Sequence, residues 1–598
     1  MCGIVALVGS REAAPQLLEG LRQLEYRGYD SAGIATVAAQ GQLTCLRAKG
    51  KLRNLTACFE AEGAPGQCGI GHTRWATHGK PEERNAHPHR SSDGAVAVVQ
   101  NGIIENHRAL REQLEASGVV FQSETDTEVI PHLLAAELQQ LQAAGGTPGG
   151  GLLLEALQRV LPKLQGAYAL AVIWDQAPGA LVVARKAAPL LIGLGEGEFL
   201  CASDTPALAG FTRTILPMED GEVALLSPLG VELYDATGAR QQRMPTQLSG
   251  VDHVADKREF RHFMLKEIHE QPEVIGNTVN AHLHPSTGAA AFEDFEFDFA
   301  NLNRLHITAC GTAFYAGLVA RYWFEEIAGL PTEVDIASEY RYRNLPATEG
   351  SATLVISQSG ETLDTLEALR FAKGQGQKTL AVVNVPESTM AREADQTVYT
   401  LAGPEIGVAS TKAFTAQLGA LAAFAINLGR AQQSLCADEE ARLVDLLLSA
   451  PRLSNSVLDC EDEIEGLAKQ ISTATSALFI GRATMYPLAL EGALKLKEIS
   501  YIHAEGFAAG ELKHGSIALV DENMPVIVIA PDDTLFEKTV SNMQEVMARG
   551  GNIILFASQN GVTAAGEGCM ATISMPEMDA FIAPMLYALP LQLLAYHA

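Results

Sequence analysis

The sequence predicts an α/β multidomain chain: a sandwich of sheets with helices outside, then two tandem doubly wound parallel-sheet subdomains. Three observations carry this. At 598 residues the chain exceeds what one hydrophobic core fills, so it divides into several domains. Short apolar runs broken by glycine fill residues 1–240, and beyond residue 290 apolar runs alternate with helical patterns. The later part is also repeated within itself. Residues 305–312 match 477–484, and 353–356 with Thr362 match 526–529 with Thr534; Gly311 and Gly481 lie 170 apart, Thr362 and Thr534 172 apart. The division expected is 1–240, a polar connection at 241–290, a first parallel-sheet subdomain at 291–440 and a second at 441–598.

Composition narrows the classes of function. Hydrophobic content of 47% and charged content of 19% describe an ordinary soluble globular protein. A net charge of −28 argues against nucleic acid or an anionic membrane as a partner, while leaving room for a locally positive site for a small anion. The nine cysteines, Cys2, Cys45, Cys58, Cys68, Cys201, Cys310, Cys436, Cys460 and Cys569, are odd in number and show no C-x-x-C spacing. Neither a metal site nor a disulfide framework is expected, and the reducing cytoplasm is. Residues 4–8 are apolar but no basic stretch precedes them, so they are no signal peptide, and the apolar run 418–428 is too short to span a bilayer.

In the first part, 13–24 patterns as a helix, and 95–99 and 169–173 as buried strands. Cys2 follows the initiator methionine, so removal of Met1 leaves a thiol and a free α-amine on one residue. The amine has an ordinary pKa of about 7.7–8.0. A nucleophile beside a built-in base is a known catalytic arrangement, although a cysteine opening a strand is also a common small core residue. Arg74, in the stretch His72-Thr73-Arg74-Trp75, has the side chain best shaped to clamp a carboxylate, and the adjacent Trp75 would close over a small ligand. Asn101-Gly102 after a strand offers a carboxamide and an N–H for an oxyanion, or else a plain hairpin turn. Asp126 either caps a helix or holds a ligand ammonium. Together these residues fit attack on a side-chain amide of an amino acid held at both charged ends. That amino acid is glutamine.

In the repeated part, Ser357-Gln358-Ser359-Gly360-Glu361-Thr362 lies between a strand and a helix. Small hydroxyls and free N–H groups at a helix N-terminus suit phosphate, and three hydroxyls exceed what N-capping needs. The second copy has Asp532-Asp533-Thr534 there, so the phosphate is expected in the first copy only. Glu491, Lys495 and Glu498 share one helix face, a spacing also common on salt-bridged solvent faces.

Cys2, residues 24–33 and His72-Thr73-Arg74-Trp75 resemble the glutaminase domain of class II amidotransferases, an N-terminal-nucleophile αββα sandwich. Cys310-Gly311-Thr312, residues 357–362, 405–415 and 491–500, and the doubling resemble sugar isomerase (SIS) domains. The whole chain resembles the family that joins these parts and aminates a sugar phosphate with isomerisation. That resemblance implies glutamine and fructose 6-phosphate as substrates, a homodimer, and no metal or organic cofactor. It implies Cys2 as nucleophile, Asn101 and Gly102 as oxyanion donors, and Arg74, Trp75, Thr77, His78 and Asp126 as the glutamine site, with Trp75 gating an ammonia channel. It implies Glu498 as the base shuttling a proton, Lys495 close to the sugar, and His514 opening the sugar ring, reaching the site of a second subunit. Thr312, Ser357, Gln358, Ser359 and Thr362 would bind the phosphate, and Val408, Ala409 and Ser410 would line the sugar pocket. Gln100 stands where family members often have histidine and Ala313 where they have serine; tuning rather than loss is expected. Family members continue past the apolar helix at 593–598 into a tail bearing a Schiff-base lysine, so a missing tail is expected. Two other readings stand beside this one: a glutaminase with an uncoupled sugar half, and a sugar-phosphate sensor with a vestigial first half. An amidotransferase acting on phosphoribosyl pyrophosphate would need a phosphoribosyltransferase half instead of the doubled pattern.

Overall fold

A computed structural model describes residues 2–25, 28–75, 79–248, 257, 259–292, 295, 297–345 and 349–598. The chain forms two compact units, Met1–Asp256 and Lys257–Ala598.

The first unit carries fifteen strands among the described residues: β1 (Gly3–Val8), β2 (Ser31–Val37), β3 (Leu43–Lys49), β4 (Cys68–Arg74), β5 (His89–Arg90), β6 (Val96–Ile104), β7 (Gly166–Trp174), β8 (Leu181–Lys186), β9 (Leu191–Leu194), β10 (Phe199–Ala202), β11 (Thr214–Pro217), β12 (Val223–Ser227), β13 (Gly230–Tyr234), β14 (Arg240–Gln241) and β15 (Thr246–Gln247). They pair into antiparallel sheets of order β15-β11-β9-β10-β1-β4-β2-β3 and β14-β13-β12-β8-β7-β6-β5. Its helices include α1 (Ala13–Arg22), α2 (His107–Ala116), α3 (Val129–Ala143) and α4 (Gly150–Val160).

Side-chain alternation along the strands explains the layers. Val5 and Leu7 of β1 pack with Leu17, Leu18 and Leu21 of α1. Ile4, Ala6 and Val8 point the other way, to Ala97 and Val99 of β6 and Ala169 and Ala171 of β7. Val96 and Val98 then meet Leu134 and Leu138 of α3 and Leu153 and Leu157 of α4. Strands buried on both faces must be apolar at successive positions, hence the continuous runs in the sequence. Each of these fully buried Leu, Ile or Val side chains contributes about 2 kcal/mol.

The second unit opens with α5 (Phe263–His269) and α6 (Gln271–Ala281), inside the stretch expected as a polar connection. Ile268, Ile275 and Val279 belong to the unit's main core, so this segment is part of its packing. Next come β16 (Arg304–Ala309), α7 (Gly311–Ala328), β17 (Thr332–Ile336), β18 (Ser351–Ser357), α8 (Leu363–Gly374), β19 (Lys378–Val383) and β20 (Gln396–Tyr399). After α9 (Lys412–Ala431), α10 (Ala437–Leu458) and α11 (Glu461–Ile471), the pattern recurs. It runs through β21 (Ser476–Gly481), α12 (Met485–Ser500), β22 (His503–Ala508), β23 (Pro525–Ala530), α13 (Phe536–Met547), β24 (Asn552–Ser558), β25 (Ala571–Met575) and α14 (Ala583–His597).

Both sheets are parallel, with orders β17-β16-β18-β19-β20 and β22-β21-β23-β24-β25, so the repeat in sequence is a repeat in topology. Buried residues of α7, α9, α12 and α14 form one core with strands of both sheets. No described helix is long and apolar enough to cross a membrane, and all nine cysteines are free.

Candidate active sites

In the first unit, the nucleophile candidate sits where β1 and β4 run side by side, with Gly3 opposite Thr73. The Cys2 Sγ accepts the Trp75 N–H at 3.3 Å, and Asn101 Nδ2 donates to the Cys2 carbonyl at 3.2 Å. Asn101 and Gly102 lie inside β6, in register with Ala169 and Tyr168 of β7, which rules out the hairpin-turn alternative. Gly102 has φ +109°, and a Cβ there would approach the Ala167 carbonyl to 2.1 Å, so the position demands glycine.

The orientation of the Asn101 carboxamide has a cause. His72 Nε2 is 3.1 Å from both the Gln100 carbonyl and Asn101 Oδ1, two acceptors, so Nε2 carries the proton and turns the amide's NH2 toward Cys2. Burial pushes His72 down to about 3, against its hydrogen bonds to Asn101 and Gln100, so the ring stays neutral. His87 stacks on it with centroids 4.2 Å apart, and His89 meets His87 edge-on at 4.7 Å. Burial lowers His87, and pushes His89 to about 3. The Gln100 N–H donates to His87 Nδ1 at 3.2 Å, so His87 is protonated at Nε2, which faces Thr127 Oγ1 at 3.4 Å; Thr127 donates onward to Gln100 Oε1 at 2.5 Å. This histidine layer was not singled out in the sequence. Its one signal there was His87 and His89 at strand spacing.

Arg74 is buried, donating to the carbonyls of Gly79 (3.2 Å) and Lys80 (3.4 Å). Burial pulls its guanidinium below the ordinary value while the nearby Cys2, Asp30 and Asp126 pull it up. Asp126 does not cap α3, whose N-cap position is Glu128; its Oδ2 instead accepts the Ile104 N–H at 2.8 Å, at the end of β6. Trp75 is 40% exposed and meets Tyr29 edge-on. Thr77 and His78, expected in the glutamine site, lie outside the described residues.

In the second unit, polar groups gather at the C-terminal ends of β16 and β18, where parallel sheets hold ligands. Thr362 is the N-cap residue of α8, yet its side chain makes no cap hydrogen bond among the described residues. Its hydroxyl lies 3.0 Å from that of Ser357, which also accepts the Gly360 N–H at 3.1 Å; Ser359 accepts the Glu361 N–H at 3.2 Å. Neither Ser359 nor Thr362 therefore caps α8 with its side chain, and N–H groups at a helix N-terminus of this kind suit an anion. Thr312, in the first turn of α7, donates to Glu491 Oε1 (3.2 Å) and accepts from Lys495 Nζ (3.1 Å), which also reaches Glu498 Oε2 at 2.7 Å.

Glu491 and Lys495 are 2% and 1% exposed, so this helix face is buried at those two positions and meets solvent only at the exposed Glu498. Burial pushes the Glu491 carboxyl up to about 7. Burial also pulls Lys495 down, but Glu491 and Glu498 outweigh it and its pKa is raised. Glu491 stood on the predicted helix face without a role; the structure seats it against Thr312 and Lys495. On the loop before α9, Val408 is exposed, Ala409 is buried and Ser410 donates to Glu405. His514 is exposed on a short 3-10 turn, Leu512–His514, outside the hydrogen-bonded group around Lys495. Among the described residues, His306, Glu333 and Asp335 bring three potential metal-ligand atoms within 4.8 Å, but Arg304 and Arg343 already pair with these carboxylates.

Fold and sites together define a glutamine amidotransferase unit followed by a doubled sugar-isomerase unit. A family model described as glutamine amidotransferase domain matches residues 72–210, and one described as SIS domain matches 298–427 and 470–598. The glutamine–fructose-6-phosphate aminotransferase [isomerizing] of Brucella suis biovar 1 (strain 1330) is 53% identical over 597 residues, 100% of this chain and 96% of its own length. The protein of that name from Bradyrhizobium diazoefficiens is 53% identical over 598 residues, with the same coverage. The solved C-terminal domain of glucosamine-fructose-6-phosphate aminotransferase from Francisella tularensis is 44% identical, with a TM-score of 0.56 over 57% of this chain and 97% of its own. The chain belongs to the family of isomerizing glutamine–fructose-6-phosphate aminotransferases.

Proposed function

We propose that the chain moves the amide nitrogen of glutamine to fructose 6-phosphate with isomerisation, releasing glutamate and glucosamine 6-phosphate. After loss of Met1, the Cys2 thiolate adds to the glutamine carboxamide. Asn101 Nδ2 and the Gly102 N–H stabilise the oxyanion, while Arg74 and Asp126 hold the substrate's carboxylate and ammonium, with Thr77 and His78 beside them. Collapse expels ammonia and leaves a thioester, which water hydrolyses to glutamate.

Ammonia passes Trp75 to the sugar half. There Thr312, Ser357, Gln358, Ser359 and Thr362 bind the phosphate, and Val408, Ala409 and Ser410 line the sugar. His514 of a second copy in a homodimer opens the ring. Ammonia adds to the C2 carbonyl and water leaves. Glu498 then takes a proton from C1, a proton is returned to C2, and the C1 hydroxyl becomes the aldehyde oxygen as its proton passes to the nitrogen, leaving an amine. Lys495 keeps positive charge beside the sugar oxygens. We further propose that the glutaminase domain spans 1–240 and the SIS subdomains 291–440 and 441–598, and that the protein works in the cytoplasm.

The observation that carries this reading is Lys495, buried and bridging Thr312 of the first sheet's helix with Glu498 of the second's. A sensor needs no buried lysine paired with carboxylates at its ligand, and the relatives' names support synthesis over uncoupled hydrolysis. The test is an assay with glutamine and fructose 6-phosphate in which both products are quantified. Near-equal glutamate and glucosamine 6-phosphate is the expected result; glutamate without aminosugar contradicts it.

A further inference from the structure

We propose that Glu267 is a positioning residue of the sugar subsite, holding the 405–411 loop in shape from α5. The inference rests on the reading that Val408, Ala409 and Ser410 line the sugar pocket. That loop runs between β20 and α9 without regular secondary structure, so its backbone groups need partners from elsewhere.

Two carboxylates supply them. Glu405, within the loop, accepts the N–H groups of Thr411 (2.8 Å) and Ala413 (3.0 Å) and the Ser410 hydroxyl (3.0 Å). Glu267 reaches in from α5, and its Oε1 accepts the N–H groups of Ile406 (2.5 Å) and Gly407 (3.0 Å). The loop is thus gripped at its start from outside and at its end from within. The fit at Gly407 is close: a Cβ there would lie 2.5 Å from Glu267 Oε2. One turn further on, Glu270, which ends α5 as its C-cap residue, holds Lys412, the first residue of α9, at 2.8 Å. Both ends of the loop therefore take their position from the first helix of the second unit.

Glu267 is 2% exposed and Ile406 and Gly407 are half-buried, so without its oxygen their N–H groups lose their partner and the loop relaxes to repair them. Val408, 55% exposed at the crest, and Ala409, seated beneath it, are the residues such a shift displaces.

The test compares Glu267→Met, which removes both acceptors at similar volume, with Glu267→Gln, which retains the one oxygen that serves both N–H groups. In the full-length protein, Glu267→Met is expected to raise KM for fructose 6-phosphate about tenfold, the order expected from two lost hydrogen bonds to a buried acceptor. Its kcat at saturating sugar should stay within about twofold, and Glu267→Gln should restore most of the KM. Gly407→Ala reaches the same contact from the loop side and should raise KM likewise, which keeps the test open if the methionine variant does not fold. A lowered melting temperature in Glu267→Met with unchanged KM would overturn the proposal, reducing Glu267 to a packing group. Val408→Asp separates the two levels: unchanged KM there overturns the sugar-loop reading itself, whereas a raised KM there with normal Glu267→Met overturns only the role of Glu267.

Discussion

The two parallel sheets of the second unit have the same strand order, yet their helix N-termini are furnished differently. After β18, hydroxyls of Ser357, Ser359 and Thr362 surround an N-terminus that no side chain caps among the described residues. After β23, Asp532 and Asp533 stand there, and Asp533 accepts the Leu535 N–H at 2.8 Å just before α13. Burial above all raises the Asp533 carboxyl, against hydrogen bonds from Leu535 and Phe536, and the like charge of Asp532 adds a smaller push in the same direction. The helix after the first strand differs in the opposite sense. Beyond Thr312, α7 buries Ala316, Val319, Ala320 and Trp323, whereas α12 buries Glu491 and Lys495. On the proposed reading, one copy holds the phosphate and the other supplies the acid–base helix. Strand order decides where a ligand can sit; the few side chains at the strand ends decide what it is.

This division of labour can be broken from either side. Replacing Glu498 by Gln, which cannot take a proton, should lower aminosugar formation about 10³-fold in single-turnover measurements while glutamate still forms. Thr362→Val keeps the shape of the phosphate loop and removes a hydroxyl. It should weaken fructose 6-phosphate about tenfold, read as a rise in KM with little change in kcat.

The first unit offers a contrast in how polarity is buried. Both halves bury charged groups, Lys495 and Glu491 in one and Arg74 and Asp126 in the other, but the glutaminase half also clusters three neutral histidines. His72, His87 and His89 are depressed below the ordinary histidine value, so below about pH 6.5 the unfolded rings take up protons that the folded ones refuse. Stability of this unit should be full above that pH and fall as pH drops toward 3, by up to about 1.4 kcal/mol per pH unit per histidine. Denaturant unfolding at pH 7 and pH 5, followed in the first unit, checks this. The smallest effect expected is from Asp532→Asn, which should leave the KM for fructose 6-phosphate within about twofold, since the proposed phosphate site is the other N-terminus.

Much of this was legible in the sequence wherever one short stretch carries its own chemistry. Cys2, Asn101-Gly102 and the hydroxyl run 357–362 needed no distant partner to be noticed, and the doubling of the sheets followed from matched apolar runs. What escaped depends on residues far apart in the chain. Asp126 looks like a helix cap because Thr127 and Glu128 follow it, but its actual partner, Ile104, is 22 positions away. Glu267 sits in a charged stretch that resembles a connection, and only the fold brings it to Ile406, 139 positions on. His72 reads as part of a motif, while its task of turning Asn101 exists only once β4 and β6 face each other.

The central claim is that one of the two matching sheets holds the sugar phosphate. Calorimetric titration of the full-length protein with fructose 6-phosphate tests it most directly, in wild type and in the pairs Ser357→Ala/Thr362→Val and Asp532→Asn/Asp533→Asn. One sugar per chain, lost in the first pair and kept in the second, is the predicted result. Two sugars per chain, or binding that survives the first pair and fails in the second, would contradict it.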